Sequence, residues 1–267
     1  MSNVYQFPFG EYVSPVVQED RTPKKVFVLG VYASAVHAKW VRANKNEQGC
    51  FALAVASEPR IFWDGNKEEA QAIIDKIKIP SELGHLELPN EDLNGPSAKA
   101  LDEKILAPLG FTRDDTWLCD LLPETRLNEN QVRARDEVYE PLVEKYGLNH
   151  ITIPEATNKY CDAERVKEIT KELIESKAEI LVLLGNYPIE QYLNKVTKAP
   201  FNSLSEYVFT NRNKYGSSTE VEICGKKIRV LPLVHPHHII PVKDHSPTWH
   251  KIHIKWVAER KKDINKI

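Results

Sequence analysis

The stretch Lys25 to Ala38, KVFVLGVYASAVHA, constrains the fold of this chain more than any other. Val26, Phe27, Val28 and Leu29 form a short apolar run of β-favouring residues, stopped by Gly30. Such a run suits a strand buried on both faces, as in a parallel sheet covered by helices. Small residues follow (Gly30, Ala33, Ser34, Ala35), and then a segment predicted to open a helix. Small side chains let the backbone approach a ligand, and helix N-terminal amides attract anions or carbonyl oxygens. Ligands of open α/β sheets bind outside the carboxyl ends of the strands, so the floor of an active site is expected here.

The rest of the chain alternates between the two periodicities. Cys50–Ser57 (CFALAVAS) reads as a second strand, and the loop after it carries Phe62, Trp63 and Asp64, an unusual payload for a connector. Lys67 to Ile77 has helical spacing, ended by Pro80, and Pro96 suits the start of a helix over Ser97–Leu106. Thr116 to Leu122 (TWLCDLL) reads as a buried strand stopped by Pro123. Asn128 caps a helix bent or broken before Pro141, and Asp162 caps a clearer one. Glu179–Leu184 (EILVLL) is the strongest strand signal, ending at Gly185 with a helix after it. Two runs flanking Gly225-Lys226 read as a hairpin, and a helix over about Pro247 to Lys261 closes the chain. Strands alternating with helices predict one α/β domain over 1–267, a three-layer α/β/α sandwich with a mainly parallel central sheet. Residues 1–23, rich in aromatics and prolines without periodicity, are expected to form an irregular arm on its surface.

Bulk properties narrow the classes. The 267 residues are 42% hydrophobic and 28% charged, an ordinary globular composition. The formal charge of −2 gives no overall basic field, so any nucleic-acid contact has to come from a local basic cleft. No run of about 18 apolar residues occurs, so no membrane span is expected. The N-terminus lacks a charged-then-apolar leader, which points to the cytoplasm. Cys50, Cys119, Cys161 and Cys224 are scattered with no CxxC pair, as reduced thiols would be.

Four strand ends carry unusual residues: the Gly30 loop, Asp120, Gly185 and His235. In a parallel sheet they converge on one edge. LGVYASAVH (Leu29–His37), ILVLLGNYPIEQYL (Ile180–Leu193) and LPLVHPHH (Leu231–His238) together resemble, in order and spacing, the motifs of the uracil-DNA glycosylase superfamily. The resemblance spans Val26 to about His238. It implies a glycosylase-like fold and a monofunctional enzyme that hydrolyses the N-glycosidic bond of a base flipped out of DNA. The base would be uracil-like, deaminated or modified.

The resemblance also implies roles. His235 lies where the second-motif histidine hydrogen-bonds the base O2 as negative charge builds. Gly30, Val31, Tyr32 and Ala33 occupy the loop that holds the base, and Phe62 the place of a stacking aromatic, with Trp63 as its alternative. Asp120 departs from the asparagine that several members carry at this strand end. An ionised aspartate only accepts hydrogen bonds and suits an exocyclic amine, whereas a protonated one donates to a carbonyl. Tyr32 stands where some members place a carboxylate, and tyrosine is a poor base at neutral pH. Asp64 is therefore the expected water activator, with Ser34 or His37 as alternatives that position the water. His237 and His238 occupy the place of the residue wedged into the emptied stack. Lys39, Arg42 and Lys243 are among the candidates for phosphate contacts. The superfamily's iron–sulfur branches use cysteines near the N-terminus; none precedes Cys50 here, so no cluster, metal or other cofactor is expected. DNA is the expected partner, and the oligomeric state is open.

Two rival readings use the same residues. His235, His237, His238, His245, His250 and His253 crowd together and suggest a metal-dependent hydrolase. The missing first-motif carboxylate suggests a catalytically inactive base- or nucleotide-binding module on the same fold.

Overall fold

The computed structural model describes residues 4–44, 49–90, 93–240 and 246–264, with side chains through residue 260. The chain gathers into two compact units. One comprises 1–16, 32–96 and 123–157; the other 17–31, 97–122 and 158–267.

The second unit is α/β, built on a mainly parallel five-stranded sheet in the order β5-β1-β6-β8-β7. Its strands are β1 (Val26–Tyr32), β5 (Thr116–Leu122), β6 (Ile180–Leu184), β7 (Thr219–Ile223) and β8 (Lys226–Leu233). β1 pairs parallel with β6 (Val28 opposite Val182), β6 parallel with β8 (Val182 opposite Leu231), and β7 antiparallel with β8. β5 runs the same way as β1. The Lys25 amide donates to the Asp115 carbonyl at 2.9 Å, and two residues on in both segments Phe27 stacks on Trp117, with centroids 6.4 Å apart.

The apolar runs of β1 and β6 are almost wholly buried, which is why they read as continuous rather than alternating. β1 does not stop at Gly30; it continues through Tyr32. The β7–β8 turn falls on Cys224 (φ 51°) and Gly225 (φ 75°), the double positive φ that a tight hairpin of right-handed twist requires. Asp162 caps the helix Ala163–Glu175 by accepting from the Arg165 amide at 2.8 Å.

The first unit holds an antiparallel sheet in the order β3-β2-β4: β2 (Ala35–Val41), β3 (Cys50–Ser57) and β4 (His85–Glu87). Two expectations change here. The segment after Ser34 is a strand, not a helix, so there are no helix N-terminal amides behind the small-residue turn. Cys50–Ser57 is a strand as expected, but it pairs with β2 rather than joining the parallel sheet.

Much of the irregular N-terminal segment is exposed, as expected of an arm, but its start is anchored in the core of this unit. Phe7 is fully buried, and Phe9 meets Trp40 and Tyr139 edge-on at 5.3 Å each while its amide donates to the Tyr139 hydroxyl. A large ring removed from water contributes about 1.5–3 kcal/mol, enough to hold an irregular segment in a core. Asn128 caps the helix over 129–146 through a reciprocal bond with Gln131, and a π-helical stretch, Ala134–Tyr139, lies just ahead of Pro141.

The aromatic loop of this unit is clamped by two glycines. A Cβ on Gly65 (φ 73°) would lie 2.2 Å from the Asn94 carbonyl oxygen, and one on Gly95 (φ 75°) 2.1 Å from the Asp64 carbonyl carbon. Gly65→Ala is expected to cost more than about 1 kcal/mol, read as a lowered urea midpoint, because the contact is with backbone and φ is positive.

Candidate functional site

The carboxyl ends of β5, β1, β6 and β8 lie along one edge of the parallel sheet, and Asp120, Gly30, Val31, Gly185 and His235 all belong to this unit. Pleating sets which way Asp120 faces. Phe27 and Trp117 share one face through their stack, so Gly30 and Asp120, each an odd number of residues on, share the other. Leu184 and Leu233, partners in the β6–β8 ladder, lie on that same face by alternation from Val28, Val182 and Leu231.

Asp120 is only 4% exposed, and among the described residues no donor lies within hydrogen-bond distance of its carboxyl group. Burial pushes its pKa up from 3.8 to about 7, against a partial pull downward from the Arg165 guanidinium. Arg165 does not reach the carboxylate. Its Nη2 donates to the Asp120 backbone carbonyl at 2.8 Å and its Nε to the Leu121 carbonyl at 3.3 Å. Its Nη1 donates to Glu172 at 3.4 Å, and Glu172 also accepts from the Trp117 indole at 3.0 Å. Arg165 thus closes the open side of an edge strand with side-chain donors in place of another strand. The Asp120 carboxyl is left without a donor, so near neutrality it exists both as an acid that can donate and as an anion that can only accept.

His235 follows β8 in extended backbone (φ −61°, ψ 140°) and caps the 3-10 turn Pro236–His238. The His237 amide donates to its Nδ1 at 3.2 Å. Because an amide only donates, Nδ1 is the unprotonated nitrogen and Nε2 carries the hydrogen. Burial, assisted by the neighbouring His237 and His238, lowers the pKa to about 3, so the ring is a neutral Nε2–H donor at any working pH. Gly185 (φ 87°) donates its amide to Leu233 at 2.8 Å and lies beside His235: a Cβ there would be 3.4 Å from the His235 Cβ. His237 is exposed and His238 half-buried, and their rings meet at 5.8 Å.

The remaining expected residues that the structure describes belong to the first unit. Tyr32 is half-buried, Ala33 is buried and Ser34 is exposed, with its carbonyl accepting from Thr125 Oγ1 at 2.7 Å. Phe62 is half-buried at φ 49°, a strained conformation for a non-glycine residue. Trp63, the expected alternative stacker, is fully buried in this unit's core and donates its indole N–H to Glu69 at 2.7 Å, so it offers no face to a ligand. Asp64 pairs with Arg60 at 2.8 Å, which ties the expected water activator to its own loop.

Two of the expected phosphate contacts are engaged inside this unit. Lys39 pairs with Glu87 at 3.0 Å, and Arg42 is 7% exposed with its guanidinium over the Trp40 ring at 4.8 Å. Arg42 is packing, not rim. His37 is buried as well, its Nε2 2.7 Å from the Gln131 side-chain nitrogen, so it is not a group that meets bulk water. Lys243 and His245 lie outside the described residues.

Sequence reasoning missed Arg165, Tyr215 and His253. Proximity in sequence places His253 with the histidine cluster, but it is fully buried, with Nδ1 2.6 Å from the Tyr215 hydroxyl and Nε2 2.9 Å from the Lys104 carbonyl. The available signal was helical spacing: His253 falls between Trp249 and Trp256 on the inward face of the last helix. Among the described residues no three His, Cys, Asp or Glu side chains converge as metal ligands, and no helix is long and apolar enough to cross a membrane. No protein-family model and no curated protein matches the chain.

Proposed function

We propose that the parallel-sheet unit is a three-layer α/β/α sandwich of the uracil-DNA glycosylase type, and that it hydrolyses the N-glycosidic bond of a base extruded from DNA. The observation that carries this reading is the buried, donor-free carboxyl of Asp120 at the same end of the sheet as the neutral Nε2–H donor of His235. A largely buried carboxyl that no donor among the described residues engages, with its titration shifted toward neutrality, is free to serve a ligand. The two residues stand on strands three positions apart in the sheet order, about 14 Å between backbones at the usual strand spacing. That is enough for a heterocycle read from both edges.

In the proposed reaction the bond between C1′ and the base nitrogen breaks with its electron pair leaving on the base. His235 Nε2–H donates to the oxygen where that charge gathers, and as a neutral donor it needs no proton transfer to do so. Protonated Asp120 donates to the carbonyl on the opposite edge; ionised Asp120 accepts from an exocyclic amine instead. Water then adds to the sugar carbon, its proton leaves to solvent, and an abasic site remains. No covalent lysine intermediate is involved.

The metal-hydrolase alternative loses His253, which is committed to Tyr215 and Lys104. The reading is tested with oligonucleotides carrying uracil, hypoxanthine, xanthine or modified cytosine, single- and double-stranded, scored for alkali-sensitive sites in excess EDTA. Cleavage at one of these bases supports it; tight binding with no cleavage at any base favours the inactive binding module.

A further inference from the structure

We propose that Tyr215 and His253 are positioning residues that hold His235 in its donor orientation through the backbone of Val234. The direction of every bond in this relay is fixed. The Lys104 carbonyl can only accept, so His253 Nε2, 2.9 Å away, must donate. His253 Nδ1 is then the bare nitrogen and accepts the Tyr215 O–H at 2.6 Å. The Tyr215 oxygen in turn accepts from the Val234 amide at 3.1 Å. Burial supports this assignment, because it lowers the His253 pKa to about 4 and raises that of Tyr215, keeping both neutral.

Each end of the relay meets a backbone group that regular structure leaves over. The β6–β8 ladder ends at Leu184 opposite Leu233, so the amide of Val234, itself 2% exposed, has no strand partner. Four residues after Lys104 stands Pro108, which has no N–H to give the Lys104 carbonyl. The relay satisfies both orphans, and an unsatisfied buried amide costs about 1–3 kcal/mol. The surrounding rings hold it still. Trp249 and Trp256 lie 6.1 Å from the Tyr215 ring, and Gly216 sits against Trp256 so closely that a Cβ there would be 2.0 Å from the indole nitrogen. Val234 directly precedes His235, so freeing its amide loosens the segment that aims the imidazole.

The role in base release rests on the proposed glycosidase reading; the relay itself does not. Tyr215→Phe keeps the ring and removes only the hydroxyl. Its single-turnover base release is expected to fall about tenfold, with affinity for abasic DNA unchanged and no further loss when the change is added to His235→Ala. Additive losses in the double variant, or a Tyr215→Phe rate equal to the parent, would overturn the role.

A second arm needs no activity. Long-range 1H–15N spectra should show both His235 and His253 as single Nε2–H tautomers in the parent, and His235 as a tautomer mixture in Tyr215→Phe. An unchanged His235 tautomer overturns the relay. If no variant releases any base, the glycosidase reading fails while the spectra still decide the relay. If Tyr215→Phe does not fold, His253→Gln, whose amide can both donate and accept, is expected to keep the His235 tautomer partly fixed; a His235 signal identical to the parent's overturns the proposal there too.

Discussion

Replacing His235 with alanine is expected to slow single-turnover base release by about 10²–10³-fold, the usual effect of removing one preorganised donor from a developing anion. The size follows from the state of the ring. Its Nδ1 is occupied by the His237 amide and its pKa is near 3, so Nε2–H is a fixed neutral donor. It loses little reorganisation energy as charge develops. The pH–rate profile should accordingly show no limb from His235 above about pH 4. Loss of the cap on Pro236–His238 should cost only about 1 kcal/mol, so a thermal melt close to the parent's separates lost chemistry from lost fold.

Asp120→Asn should stabilise the protein in alkaline but not acidic solution. The folded state holds the Asp120 proton to about pH 7, whereas the unfolded chain releases it near 3.8. Stability contributed by this residue therefore falls as pH rises from about 4 to about 7, and the full penalty stands above that range. The displacement corresponds to about 4 kcal/mol against the ionised form. Burying an amide without its own partners returns part of this, so the net gain above pH 7 should be about 2 kcal/mol, with no gain near pH 4. Thermal melts at the two pH values check the sign, and a gain of equal size at both would contradict the burial account. The same substitution makes the donor permanent. Release of a keto base, expected to decline in the parent as pH passes 7, should become flat and shift in preference toward uracil.

What the sequence made legible was the parallel sheet, and for a physical reason. β1, β5 and β6 are buried along most of their length, so Val26–Leu29 and Ile180–Leu184 are continuous apolar runs ended by Gly, and Thr116–Leu122 is an apolar run broken only by Thr116 and Asp120 and stopped by Pro123. The turn at Cys224–Gly225 announced itself by its glycine. β2 was hidden because Ala35, Val36, His37 and Ala38 are all buried and alternate in nothing, while alanine favours a helix. The π-helical stretches were equally unreadable, since a one-residue insertion leaves the apolar spacing nearly intact.

In the candidate site, Asp120 and His235 stand out in the sequence because unusual chemistry sits near predicted strand ends, and the strands do end there. Trp63 and Arg42 misled because aromatic and basic residues near a loop look the same whether they face water or a core. Tyr215 was missed because its hydroxyl serves a backbone amide nineteen residues away, and no local pattern encodes that.

On the proposed reading, the sheet edge bearing Asp120 and His235 releases a nucleobase. Its most direct test is mass-spectrometric detection of free base after single-turnover incubation of the parent and His235→Ala proteins with uracil-, hypoxanthine- and modified-cytosine-containing DNA. Free base together with an abasic strand from the parent, reduced at least a hundredfold in the variant, is the predicted result. No free base from any substrate, or equal release by the two proteins, would contradict it.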